Sequence, residues 1–131
     1  MLRINNPGFG GTGTLTLTFN GDTGAKYSFM GMGYNTSTAA NATPLSQHDN
    51  TSLQLSTSTT SLQGVITIVE TDTVNVKELT AYYKAGNPGG TNVYPNTVGS
   101  YVASAAITSV TLTTTSTFSA SGTVALYGVS S

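Results

Sequence analysis

The sequence predicts an all-β fold, an antiparallel β-sandwich of jelly-roll-like architecture with about seven or eight strands. Three observations carry this. Threonine and serine account for 25 and 15 of the 131 residues, and β-branched threonine is stiff at χ1 and suits the exposed face of a pleated strand. Thr14-Leu15-Thr16-Leu17-Thr18-Phe19 alternates strictly, placing three apolar side chains on one face and three threonines on the other. No window sustains an apolar period of 3.6 residues, whereas turn-forming clusters recur between short apolar runs.

Taken in order, Met1–Gly13 holds Pro7 and four glycines, which argue against a regular element. It is expected to be an N-terminal arm, with a short first strand completing the sandwich as the alternative, followed by a single domain over 14–131. Leu2, Ile4 and Phe9 would be wasted on a solvated tail, so the arm is expected to bind a partner through Leu2, Arg3, Ile4 and Phe9. After the strand at 14–19, Asn20-Gly21-Asp22-Thr23-Gly24 reads as a hairpin loop. Lys26–Met32 forms the next strand, with Tyr27 and Phe29 on one face and Ser28 and Met30 on the other. Residues 33–50 read as a long loop with room for one short strand. Gln63–Glu70 is apolar on both faces, as in a central strand, and Val74–Tyr83 follows as another. Gly86-Asn87-Pro88-Gly89-Gly90 is a turn. Ala105–Thr114 and Thr123–Val129 close the chain as strands. The expected core is Leu15, Leu17, Phe19, Tyr27, Val110, Leu112 and Leu126.

Charge is scarce: 7% of residues are charged and the formal net charge is -1. Arg3, Lys26, Lys77 and Lys84 are too few and too scattered for the basic patch that duplex nucleic acid requires, and no apolar run approaches the roughly 20 residues that span a bilayer. Neither nucleic acid nor membrane is an expected partner. Cysteine is absent, which excludes disulfides and thiolate metal sites. Few charges and a modest apolar fraction of 37% point to surface that partners cover.

Candidate chemistry resolves into bland readings. Gly8-Phe9-Gly10-Gly11-Thr12-Gly13 matches G-x-G-x-x-G, but no helix follows to face a pyrophosphate. His48, the only histidine, stands beside Asp49 in a polar stretch with no strained turn to present a serine. Glu70 and Asp72 are two apart, a spacing that glycosidase carboxylates can use but that solvated strand ends show far more often. Asn20, Asp22 and Asp49 offer oxygens for a calcium ion, yet match no calcium-loop pattern. Tyr82, Tyr83, Tyr94 and Tyr101 would form either a platform for sugar rings or part of the core. The three Asn-x-Ser/Thr sequons, at Asn35, Asn41 and Asn50, are what this composition yields by chance. The expectation is a protein without catalytic residues, cofactor or metal, and not an enzyme.

Two stretches go beyond composition. Phe19-Asn20-Gly21-Asp22-Thr23-Gly24-Ala25-Lys26-Tyr27-Ser28-Phe29 resembles a strand–turn–strand signature of virion structural proteins of tailed bacteriophages. Ala106-Ile107-Thr108-Ser109-Val110-Thr111-Leu112, then Thr117–Thr123 and the ending Leu126-Tyr127-Gly128-Val129, is similar to the C-terminal pattern of that family. The resemblance implies a jelly-roll-like domain on a phage particle, commonly a homotrimer, as in head-decoration proteins that clamp the capsid lattice. It implies the major capsid protein as partner, synthesis in the bacterial host cytoplasm and a final place on the capsid surface of the virion. The alternative within the resemblance is a tail or fibre module that binds a host receptor or glycan. The family often carries a longer segment before the first motif, of which Leu2-Arg3-Ile4 would be a remnant, and it supplies no catalytic residues.

Overall fold

The computed structural model describes residues 1–35, 45–69, 76–86, 92–119 and 122–128. These contain eight strands, all paired antiparallel: β1 (Leu2–Phe19), β2 (Tyr27–Asn35), β3 (Leu45–Asn50), β4 (Leu53–Val69), β5 (Val76–Gly86), β6 (Asn92–Val102), β7 (Val110–Thr114) and β8 (Thr123–Leu126). The hydrogen-bonded order is β3-β2-β6-β5-β4-β1-β7, with β8 also pairing β1. The protein is all-β and sandwich-like.

Two long strands build both layers. The first part of β1 pairs with β8 and with residues 63–66 of β4, giving the large sheet β3-β2-β6-β5-β4-β1-β8. The last part of β1 pairs with β7 and with residues 53–56 of β4, giving a small sheet β4-β1-β7. Between them the β1–β4 register slips repeatedly from Asn5 to Thr16, as bulges do when a strand turns a corner between packed sheets. The glycines of β1 belong to this corner. A Cβ at Gly13 would stand 2.7 Å from Thr114 Oγ1 and 2.9 Å from Ser116 Cβ, so a side chain there would push away the segment that follows β7.

The layers enclose one core. Leu2 and Ile4, Leu15, Leu17 and Phe19 of β1 meet Tyr27 and Phe29 of β2, Leu53, Leu55, Leu62 and Ile66 of β4, Leu79, Ala81 and Tyr83 of β5 and Tyr101 of β6. The approach is close at Gly99, where a Cβ would lie 2.7 Å from Leu53 Cδ2 of the opposite layer. Lys77 is also buried, and its ammonium donates to the Ala103 carbonyl, the hydrogen bonding that a buried charge requires.

Several expectations are corrected. The segment 1–13 is no arm: it lies in the strand that completes the sandwich, and Leu2 and Ile4 are buried in the chain's own core. Glycine and proline misled because a bulged, layer-crossing strand tolerates both where a flat one does not. Ala105–Thr114 is a strand only from Val110, because residues 106–109 bond to Asn20, chiefly its side chain and once its backbone N–H, rather than to a continuous strand. Leu126 is exposed rather than buried: it stands across from Leu2 but lines an open groove at the sheet edge with Ile107 and Val110. β6 has no counterpart in the sequence reading, and β4 begins at Leu53, ten residues before the expected strand. His48 and Asp49 lie in β3 rather than in a loop. The expected turn at 87–90, together with Glu70, Asp72, Asn41 and the side chains of Phe9 and Tyr94, lies outside the described residues.

Candidate functional site

Two regions stand out, a polar cluster at the β1–β2 turn and the outer face of the large sheet. The turn is built from its sequence. Asn20 and Gly21 take left-handed φ of 54° and 66°, a conformation that asparagine and glycine tolerate best. Asp22 Oδ1 accepts the Gly24 N–H at 2.8 Å and Oδ2 accepts from Lys26 Nζ at 2.8 Å and from the Tyr101 hydroxyl at 2.9 Å. The Tyr27 hydroxyl accepts the Phe19 N–H at 2.9 Å and donates to the Asp22 carbonyl at 2.9 Å. Beneath these bonds the Tyr27 and Tyr101 rings stack at 4.8 Å, and Phe19 tilts against Tyr101 at 5.3 Å.

Asn20 reaches the other way. Its Nδ2 donates to the Ala106 carbonyl at 2.8 Å, and its Oδ1 accepts from the Thr108 N–H at 2.8 Å, the Ser109 N–H at 3.1 Å and the Thr108 hydroxyl at 3.1 Å. One amide thus takes the place of a neighbouring strand for the segment that leads into β7. The two stretches that carry the family resemblance, Asn20–Gly24 and Ala106–Ser109, are therefore in direct contact.

The electrostatics follow from these bonds. Lys26, the Gly24 N–H and the Tyr101 hydroxyl hold the Asp22 carboxyl down at about 2, against an ordinary 3.8. Burial, and then the adjacent Asp22 carboxylate, push the Tyr101 phenol up to about 12. Burial also raises Tyr27. A shallow depression lined by Asn20, Asp22, Lys26 and Tyr101 opens here, but the oxygens that would take a ligand already accept bonds from the chain. The cluster is a structural clasp. Of the oxygens considered for calcium, Asn20 and Asp22 serve the clasp, while Asp49 pairs with His48 Nδ1 at 3.0 Å on an exposed strand. No group of three or more metal-ligating side chains occurs among the described residues.

The outer face of the large sheet is the opposite case. Cross-strand register puts Met32, Asn96, Tyr82, Val65 and Arg3 in one row, Met30, Val98, Thr80 and Thr67 in the next, and Ser28, Ser100, Glu78 and Val69 in a third. Nearly all of these side chains are exposed, Tyr82 at 73% and Met32 at 62%. Arg3 and Glu78 are the only charged side chains described in these rows. On the small sheet the outward residues are Thr14, Thr16 and Thr18 of β1 and Thr111 and Thr113 of β7. Of the sequence-predicted partner residues whose side chains are described, Arg3 is on the surface and Leu2 and Ile4 are core residues.

The tyrosine platform does not assemble. Tyr83 and Tyr101 are buried and Tyr82 is exposed, because adjacent residues on a strand face opposite ways. What the sequence reading missed was the outer face, whose apolar residues come from strands spread over 60 residues and share no local motif. The period-2 pattern of Met30 and Met32 was the available signal.

Compared with known proteins, the chain matches no family model, no curated protein and no solved structure. No helix among the described residues is long and apolar enough to cross a membrane.

Proposed function

We propose that the protein is a non-enzymatic structural component of a tailed-phage particle, a decoration protein that binds the assembled major capsid protein lattice as a homotrimer and reinforces it. The observation that carries this reading is the scarcity of charge among the described outward residues: the three central rows of the large sheet mix apolar with uncharged polar side chains and hold only Arg3 and Glu78, and the small sheet turns threonines outward. Soluble proteins keep such surfaces small, and depletion of charge is what distinguishes the centre of an interface from ordinary surface. Broad flat faces without a deep pocket fit a lattice of protein neighbours better than a small ligand.

The family resemblance supplies the particle, and the contact of its two motifs through Asn20 supports treating them as one structural unit. The glycan-binding alternative depends on a tyrosine platform and loses that support with Tyr83 and Tyr101 buried. Reinforcement would operate by linkage: a protein that binds only the assembled shell shifts the assembly equilibrium towards it.

The test is co-sedimentation of the purified protein with empty capsid shells and with unassembled capsid subunits, followed by thermal disassembly of the shells. Binding to shells alone, with a raised disassembly temperature, is expected. Protein that remains in the supernatant with shells, or that binds only isolated tails, would overturn the reading.

A further inference from the structure

The hydrogen-bonded order runs from β3 at one end to β7 at the other, and the two ends differ. The β3 edge is blunted: its register against β2 is irregular, and Asp49 takes a left-handed φ of 52°, devices that keep a strand edge from pairing. The β7 edge carries neither. Val110–Thr114 runs without a register break against β1 and holds no charge and no proline. The Asn20 N–H donates to the Ser109 carbonyl at 3.0 Å and the Thr115 N–H to the Thr14 carbonyl at 3.1 Å, so residues 109, 111, 113 and 115 are the ones that exchange bonds with β1. The N–H and C=O groups of Val110, Leu112 and Thr114 therefore point away from β1. Among the described residues β7 pairs with β1 alone.

The side chains beside this edge lack a cover. Val124 and Leu126 of β8 stand across from the buried Ile4 and Leu2, on the core side of the large sheet, yet they are 46% and 62% exposed. The small sheet stops at β7 before it reaches them. Leu2, Leu112 and Val124 line one stretch of the opening, Ile107 and Leu126 the next, and Val110 stands in both. No charged side chain lines either stretch. A row of outward-pointing backbone groups along an apolar opening fits an extended chain, whose main chain pairs with the edge while alternate side chains enter the opening. We propose that the opening takes a β-strand from another protein, an uncharged segment of about five residues, apolar at alternate positions and paired antiparallel to β7. In that register the segment's inward residues lie opposite Val110, Leu112 and Thr114 and aim their N–H groups at β7, whereas the residues between them turn theirs to solvent. The inference goes beyond the particle reading and does not rest on it.

Amide hydrogen exchange of the full chain, alone and with a synthetic peptide, tests this. The peptide alternates valine with threonine over six positions and carries two lysines at each end for solubility. In the dilute free chain the amides of Val110, Leu112 and Thr114 should exchange much faster than those of Thr111 and Thr113, and the peptide should slow those three at least about tenfold. Methylation of a valine nitrogen in the peptide should weaken binding about tenfold through the bond it removes. Methylation of a threonine nitrogen should leave binding unchanged, a distinction that non-specific apolar association does not make. Val124→Glu, at an exposed position and with folding verified by circular dichroism, should also weaken binding about tenfold by placing a charge in the opening. Three amides already protected in the dilute free chain would mean that the chain covers its own edge, and protection that grows with chain concentration alone would put a second copy there. Either result overturns the proposal, as does a peptide that leaves the three amides fast or that binds equally well whichever nitrogen is methylated. No shell takes part, so failure here is distinct from failure of the particle reading.

Discussion

The β1–β2 turn and the outer face of the large sheet differ in almost every physical respect. At the turn, Asn20, Asp22, Tyr27 and Tyr101 satisfy one another within a few ångströms, and the carboxylate accepts three hydrogen bonds. On the face, Met30, Met32, Tyr82 and Val98 stand in water with no partner from the chain's own core. The turn carries the recognisable motif, and the face carries none. A motif whose Asn20, Asp22 and Tyr27 side chains are bonded inside the chain serves the fold, and the surface left open is the plain one.

The largest expected effects lie under the clasp. Phe19→Ala should cost about 3–5 kcal/mol and Leu17→Ala about 2–5 kcal/mol, as truncations of fully buried side chains. Urea denaturation measures both, and a loss below about 1 kcal/mol would mean that the core is not sealed at this end. Next comes the clasp itself. Asn20→Ala removes four hydrogen bonds and should cost about 1–3 kcal/mol. In hydrogen exchange, the amides of Thr108 and Ser109, which donate to Asn20 Oδ1, should lose protection before those of β7.

A third test uses pH. The folded value of Asp22 is about 2, below its ordinary 3.8, so its contribution is complete above about 3.8 and is lost as pH falls towards 2. The folded value of Tyr101 is about 12, above 10.0, so its contribution is complete below pH 10 and is lost as pH rises towards 12. Denaturation midpoints across pH should show both limbs. Tyr101→Phe should shrink the alkaline limb to the part that the raised Tyr27 contributes and weaken the acid one, and unchanged limbs would break the link between Asp22 and Tyr101. The smallest effect belongs to the face: Met32→Ser and Thr80→Ser should each change the stability of the isolated chain by no more than about 0.5 kcal/mol.

How much of this was legible in the sequence depended on whether the governing interaction was local. The alternation at 14–19 and the faces of Tyr27, Phe29 and Met30 were readable because period-2 burial is written in adjacent residues. The Asn20–Gly24 turn was readable because its φ values demand those residue types. The path of β1 was not, since bulges and a change of layer turned glycine and proline from breakers into corner pieces. The bond from Asn20 to residues 106–109 spans more than 80 positions, so no local pattern announced it. β6 escaped because Gly99 and Pro95 interrupt its alternation, although Gly99 is required by the approach of Leu53. The outer face could be seen only once β2, β6, β5 and β4 were set side by side.

Side-chain footprinting on shell-bound protein tests both regions at once. Met30 and Met32 report on the face through oxidation by brief hydroxyl-radical exposure, and Lys26 reports on the turn through acylation. If the plain face is the covered surface, both methionines lose most of their reactivity on the shell relative to dilute free chain, while Lys26 reacts as before. Methionines that oxidise equally in both states, with Lys26 protected on the shell, would place the contact at the clasp and contradict the account.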